Sequence, residues 1–424
     1  MISNVVPVPN GENISQHDQN KQKPKLTFID IFSSLKEKTG KLDMKKVIHS
    51  VKVGIALVLV SLLYLLDPLF QKVGQNAMWA IMTVVVVFEF FAGATLSKGI
   101  NRAIGTVLGG GLGCLAAILA DNSGEIGGAL VVGISVIVIG VGATYARLIP
   151  SVKKRYDYGV MIFILTFSLV VVSGVRADKI MKLAGERLSN IGMGFAVCIF
   201  TSSIYPIWAG DELHSSTASK FDKLASSIQG CLEEYFDIAN DNAKQPAIDV
   251  SGCKSVLHSK PSDESLANFA KWEPWHGKFG FFYPWEKYLI IGEVLRELAA
   301  MVLSFKGCIQ SVRQPPPTQR DSIREPCETI GLSLATILIE LGESIRDMKI
   351  CRAKVLICPR TQCMRQELSL LAHSYTRENN STESLGLSSF IFQILEMAEK
   401  VDLLATKVEE LGEIARFHNK KLDV

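Results

Sequence analysis

The stretch A-I-G-T-V-L-G-G-G-L-G-C-L-A-A-I-L-A at 103–120 decides the fold, together with I-G-G-A-L-V-V-G-I-S-V-I-V-I-G-V-G-A-T-Y-A at 126–146, which follows after only five residues. Neither contains Asp, Glu, Lys or Arg, and each comes close to the roughly 20 apolar residues that a helix needs to cross a bilayer. Working outward, 158–175 and 188–208 pass the same test. The stretch 47–66 passes if His49 and Lys52 sit near an interface, and 73–91 does so while holding Glu89. Soluble domains do not place six such segments in a row with short connections. The fold class expected is therefore all-α. A polar, largely disordered cytosolic segment over 1–46 precedes a six-span transmembrane helical domain over 47–209, and a cytosolic helical bundle over 210–424 follows.

Residues 1–46 show no apolar run with a small-residue cleavage pattern, so no secretory signal is expected and the amino terminus is placed inside. Lys41, Lys45, Lys46, Lys98, Arg102, Arg147, Lys153, Lys154 and Arg155 then fall on the inner side, as the positive-inside rule prefers. The outer loops hold Lys72 and then Arg176, Lys179 and Lys182, the last loop running against the trend. An even number of spans also puts the carboxyl terminus inside. The formal net charge is only +3, with no basic run interleaved with aromatics, which argues against nucleic acid as a partner.

Glycine is dense in the spans: Gly105, Gly109, Gly110, Gly111 and Gly113 in the third, and Gly127, Gly128, Gly133, Gly140 and Gly142 in the fourth. In a bilayer such residues let helix backbones approach closely, so these two spans are expected to pack on other helices. In the tail, 212–238, 286–308, 320–350 and 385–416 show helical periodicity. The section to about residue 270 reads as loop, with Pro246, Gly252 and Pro261 as breakers. Its seven cysteines are expected to be reduced thiols. Cys351, Cys358 and Cys363 with His373 lack a paired C-x-x-C knuckle, so no metal site is assigned. No phosphate loop, H-E-x-x-H or G-x-S-x-G occurs, so neither an enzyme nor a cofactor is expected.

The chemistry is expected at cations near the ends of spans. Lys98 and Arg102 stand four apart on one helical face at the start of the third span, and Arg187 opens the sixth. Positive side chains near positive helix ends attract anions. Rings of Arg or Lys replace part of an anion's water shell, and Arg grips a carboxylate with two parallel hydrogen bonds. The simpler reading for Lys98 and Arg102 is contact with lipid phosphates; for Arg187 it is pairing with Glu186 or snorkelling. Glu89 is expected to pair with Lys98 or Arg102 and position it, the alternative being a proton relay.

Several blocks closely resemble the plant aluminium-activated malate transporters. They are K-V-I-H-S-V-K-V-G-I-A-L-V-L-V-S from residue 46, N-A-M-W-A-I-M-T-V-V-V-V-F-E-F at 76–90, G-A-T-L-S-K-G-I-N-R at 93–102 and Y-D-Y-G-V-M-I-F-I-L-T-F at 156–167. E-R-L at 186–188, P-I-W-A-G at 206–210, W-E-P at 272–274 and the later P-W-E-K-Y extend the match into the tail. The resemblance implies a dimeric, six-span channel for malate and other organic or inorganic anions, lying in the plasma or the vacuolar membrane. It places the pore cations at Lys98, Arg102 and Arg187, in agreement with the electrostatic reading, in which Glu89 and Glu186 are expected to support them. Trp272, Glu273 and Pro274 are carried over as a coupling element between tail and pore, against the simpler reading of an aromatic packing corner.

Activation by aluminium is not expected. A hard cation wants clustered carboxylates, and the last outer loop offers Asp178 among Arg176, Lys179 and Lys182. Two further readings stand beside the channel. One is a proton-coupled secondary carrier exporting organic, including aromatic, acids. The other is a functional tail with the spans as mere anchor, for which one span would suffice.

Overall fold

The computed structural model describes residues 44–65, 78–174, 180–237, 250–280, 282–309, 317–350, 366, 369–370 and 382–418. Two compact units are distinguished, Met1–Ile48 and His49–Val424. The first is described only where α1 (Met44–Leu65) begins.

Among the described residues every named element is a helix. α2 (Met78–Val87), α3 (Ala92–Asp121), α4 (Gly124–Leu148), α5 (Pro150–Gly174) and α6 (Ile180–Ile204) follow α1. The tail holds α7 (Ala209–Asp237), α8 (Ser251–Leu257), α9 (Lys260–Ala270), α10 (Trp285–Ile309), α11 (Pro317–Asp347) and α12 (Thr382–Ile414). By length and composition, α3, Ile126–Leu148 and Pro150–Ser173 can each cross a membrane. A fourth span results if Arg187–Ile204 and Ala209–Phe236, bent by 46°, count as one. The stretch of the first expected span is helical through the 22 residues of α1 and that of the second through only the 10 residues of α2; 66–77 lie outside the described residues, and six spans are not seen among the described ones.

The two halves bury apolar side chains differently. In the tail, Leu213, Phe221, Leu224, Ile228, Leu295, Leu298, Leu338 and Leu404 form part of one continuous core from which water is excluded. In α4 the apolar side chains turn outward, with Ile137 and Val141 each 66% exposed. A soluble protein rarely presents so much contiguous apolar surface, but lipid solvates it readily. Small clusters hold the apolar helices together: Ala56, Val60, Ala80, Val84, Phe88 and Cys198 join α1, α2 and α6, while Ala116, Phe167 and Val171 join α3 and α5.

α3 and α5 approach each other backbone to backbone. A Cβ on Gly105 would lie 2.4 Å from the Gly159 carbonyl oxygen, and one on Gly109 would lie 2.6 Å from that of Phe163. No side chain fits there. Gly110 and Gly111, by contrast, have no such close neighbour, so one glycine run serves both a seam and an open face.

The section read as loop up to residue 270 contains α8 and α9. Pro261 lies at the first turn of α9, where its missing N–H costs nothing, so it starts a helix instead of breaking one. α9 also carries Asp263, both of whose carboxylate oxygens accept from the Lys220 ammonium at 2.6 Å, with Ser259 and Arg296 completing the shell at 2.9 and 3.3 Å. This buried network ties α7, α9 and α10 together. Cys351, Cys358, Cys363 and His373 lie outside the described residues.

His214 of α7 is buried, with Nδ1 2.8 Å from the Tyr288 hydroxyl. Burial lowers its proton affinity, with Lys278 acting in the same sense and the Arg346 carbonyl and Asp211 opposing. The neutral ring is thus the folded form. Its contribution to stability is complete above its ordinary value of 6.5 and is lost as pH falls below it.

Two outcomes follow from this packing. Gly109→Ala should destabilise the detergent-solubilised protein by about 1–3 kcal/mol in thermal unfolding, while Gly111→Ala should leave it unchanged. Lowering the pH from about 7.5 to about 5.5 should reduce the unfolding temperature, and His214→Phe should flatten that dependence.

Candidate anion-binding site

α2 ends at Val87, and the chain turns through Phe88 to Phe91 before α3 starts. Thr95 holds this turn: its Oγ1 accepts the Glu89 N–H at 2.9 Å, and the Ala92 N–H donates to the Ile207 carbonyl at 2.9 Å. The Glu89 carboxylate thereby reaches the Lys98 ammonium and forms an ion pair, one of the two pairings expected. α3 begins well before residue 103, so Lys98 and Arg102 lie in its second and third turns, beyond the strongest field of the helix end. Their positive potential comes from the side chains themselves.

The glycine seam sets what these cations meet. Because α5 lies against α3, Tyr158 is wedged between them. The Arg102 Nη1 donates to the Tyr158 hydroxyl at 3.1 Å, and the Lys98 ammonium lies 5.8 Å from the Tyr158 ring centroid. Arg102 is 5% exposed, and its Nε has no hydrogen-bond partner. One helical turn on, the Thr106 Oγ1 is also buried without a partner. Among the described residues no carboxylate pairs with Arg102, and a guanidinium so enclosed without a counter-charge is costly.

Beside Tyr158 opens a cavity of about 220 Å³, lined among others by Lys98, Asn101, Lys153, Arg155 and Trp272. The nearby acids are already engaged. Asp157 accepts two hydrogen bonds from Arg147 at 2.8 and 3.2 Å, Glu89 pairs with Lys98, and Glu264 accepts from Lys154 at 3.3 Å. The cavity therefore carries surplus positive charge from Lys153 and Arg155, and it suits an anion.

Arg187 is placed elsewhere. It sits in the second turn of α6 with its guanidinium 5.2 Å from the Trp79 ring centroid, and its Nε has no partner. The side chain of Glu186 lies outside the described residues. Lys98 and Arg102 are thus brought together, and Arg187 is held apart on an aromatic face.

The W-E-P segment joins the apolar helices to the tail. The buried Glu273 carboxylate accepts from the Ala209 N–H at 2.6 Å and the Gly210 N–H at 3.1 Å, capping the first turn of α7. Burial raises its proton affinity, opposed by these two donors and by His276. A Cβ on Gly210 would meet the Trp285 ring at 2.6 Å, and one on Gly93 would meet the Phe269 carbonyl oxygen at 2.2 Å. Both positions demand glycine. His276 stacks on Trp208 with centroids 4.0 Å apart, and Trp272 contributes to the cavity wall.

Tyr158 was not singled out from sequence; only the glycine after it hinted at a close helix contact. Lys52, expected near an interface, is buried and donates to the Tyr205 carbonyl at 3.0 Å, tying α1 to the end of α6; no local pattern reveals that partner. Among the described residues no cluster of potential ligands could hold a metal ion.

A family model described as "Aluminium activated malate transporter" matches residues 37–375. Among curated relatives from Arabidopsis thaliana, Aluminum-activated malate transporter 13 is 42% identical over 357 residues, covering 81% of this chain and 66% of its own length. Aluminum-activated malate transporter 14 is 43% identical over 326 residues, covering 75% of this chain and 60% of itself. Aluminum-activated malate transporter 12 is 43% identical over 320 residues, covering 75% and 57%. The chain spans slightly less than two thirds of the length of these relatives.

Glu273→Ala leaves the Ala209 and Gly210 N–H groups buried without an acceptor. It should cost about 2 kcal/mol and increase proteolysis between α6 and α7, whereas Glu273→Gln, keeping one acceptor, should lose less on both measures.

Proposed function

This chain belongs to the aluminium-activated malate transporter family, and from that premise we propose that it is a gated passive channel for malate and other organic or inorganic anions. The observation that carries the reading is Arg102: a guanidinium enclosed by apolar helices, with a hydroxyl for a partner and, among the described residues, no carboxylate. A permanent counter-ion would have cancelled its field. A passing anion supplies that missing charge transiently, and Arg replaces part of its hydration.

The proposed assembly is a homodimer with six spans per subunit, in which α1 and the stretch containing α2 complete the set. Both termini and the tail lie on the cytosolic side, in either the plasma or the vacuolar membrane. Lys98, Arg102 and Arg187 serve as pore cations. Lys98 and Arg102 stand at the inner end, and Arg187, on its aromatic support, stands at the outer end. Glu89 holds Lys98 in place, and Glu186 is assigned the same role for Arg187. Trp272, Glu273 and Pro274 transmit tail movements to α3 and α6, because Glu273 binds the start of α7 while Trp272 borders the cavity. An ion-paired Glu89 is a poor free proton relay, which favours a channel over a proton-coupled carrier.

Recording from the full chain in planar bilayers under a malate gradient tests this reading. A channel reverses at the malate equilibrium potential irrespective of a pH gradient; a reversal that moves with the pH gradient would instead establish the coupled carrier. Arg102→Ala and Arg187→Ala should each lower anion conductance by about tenfold without preventing membrane insertion. Unchanged currents in both would remove the pore assignment.

A further inference from the structure

Charge alone does not choose among anions. Lys98, Arg102, Lys153 and Arg155 attract chloride, nitrate and carboxylates alike, and guanidinium geometry adds preference only where both nitrogens are free to bind. In the cationic cavity the group able to discriminate is neutral. Tyr158 uses its oxygen to accept the hydrogen bond from Arg102 at 3.1 Å, and among the described residues no acceptor takes its proton. A phenol whose oxygen is already held by a cation is polarised, and its O–H becomes a stronger donor. Lys98 over the ring withdraws further electron density.

We propose that this cavity is a carboxylate-recognition site in which the Tyr158 hydroxyl is the specificity-determining donor. The inference deepens the channel reading above and rests on it. The space of about 220 Å³ admits a small organic anion with part of its water. Its wall is built from three separate parts of the chain: α3 gives Lys98 and Asn101, α5 gives Lys153, Arg155, Tyr158 and the Asp157 carboxylate already held by Arg147, and the tail gives Asn268 and Trp272. One carboxylate oxygen of the ligand accepts from Tyr158, while the cations balance the charge. Nitrate carries a similar size and a single charge but is a far weaker acceptor, so it gains little from the phenol. The selectivity arises because the half-buried phenol, its oxygen already held by Arg102, gives its proton most favourably to a strong acceptor.

A simpler role for Tyr158 is to orient Arg102. The two roles separate by readout, since a misdirected Arg102 weakens all anion currents together, whereas a lost donor changes the ratio between anions. The experiment uses the full chain in planar bilayers, with malate on one side and nitrate on the other. Tyr158→Phe keeps the ring beneath Lys98 and should lower the malate-to-nitrate permeability ratio by about three- to tenfold, with nitrate current retained. A ratio equal to that of the unaltered protein, whether or not both currents shrink, would overturn the proposal. Should the phenylalanine variant not reach the membrane, 3-fluorotyrosine at position 158, recorded at mildly acid pH, gives the opposite sign. Its stronger O–H donor should raise the ratio, and an unchanged ratio would overturn the proposal equally. Absence of any anion current from the unaltered protein would be a different failure, that of the channel reading itself.

Discussion

Backbone-to-backbone contact between two helices is the constraint on which the site depends. Gly105 and Gly109 of α3 lie against the carbonyls of Gly159 and Phe163 on α5, at separations that leave no room for a Cβ. In a membrane no hydrophobic driving force brings helices together, so this close fit and its dispersion contacts must do so. The consequence lies one to two turns away, where the same approach presses Tyr158 between Lys98 and Arg102. Were the helices a side chain further apart, Arg102 would lose its only described side-chain partner. Packing therefore dictates the electrostatics.

The charges follow a division of labour. Cations that have acidic partners, such as Lys98 with Glu89 and Arg147 with Asp157, pin the ends of helices. Arg102, Lys153 and Arg155 supply the positive potential that those pairs do not cancel. The tail meets this region through α9 and the W-E-P turn. Glu273 holds the start of α7, and Gly93 allows the start of α3 to touch Phe269. Under the proposed coupling, a movement of the tail has a short route to the cavity wall at Trp272. The buried Lys220, Asp263 and Arg296 network keeps α9 fixed to the rest of the tail, so that the route is stiff.

Much of this was legible in the sequence because bilayer length and helical periodicity are local properties. The charge-free stretches at 103–120 and 126–146 lie within α3 and α4, 158–174 lies within α5, and the long tail helices match their apolar repeats. The Glu89 and Lys98 pair could be inferred because a carboxylate beside an apolar helix needs a partner. What could not be read was non-local or depended on where a helix starts. The third helix begins at Ala92 because the chain hydrogen-bonds to Ile207, far away in sequence, and that earlier start moves Lys98 and Arg102 into the helix body. Pro261 looked like a breaker but opens α9, since proline suits a first turn as well as a loop. Tyr158 gave no signal of its own, because its importance comes entirely from what α3 brings beside it.

The proposed channel depends on the enclosed positive charge at position 102 setting the passage of anions. Charge replacement at that position tests it most directly. In full-length protein carrying Arg102→Cys, thiol reagents that attach either an ammonium or a sulfonate group are applied while anion current is recorded. The account predicts that the cationic adduct restores the current and that the anionic adduct suppresses what remains. If the thiol is modified by both reagents and the current responds to neither, position 102 does not act on the ion path, and the account is contradicted.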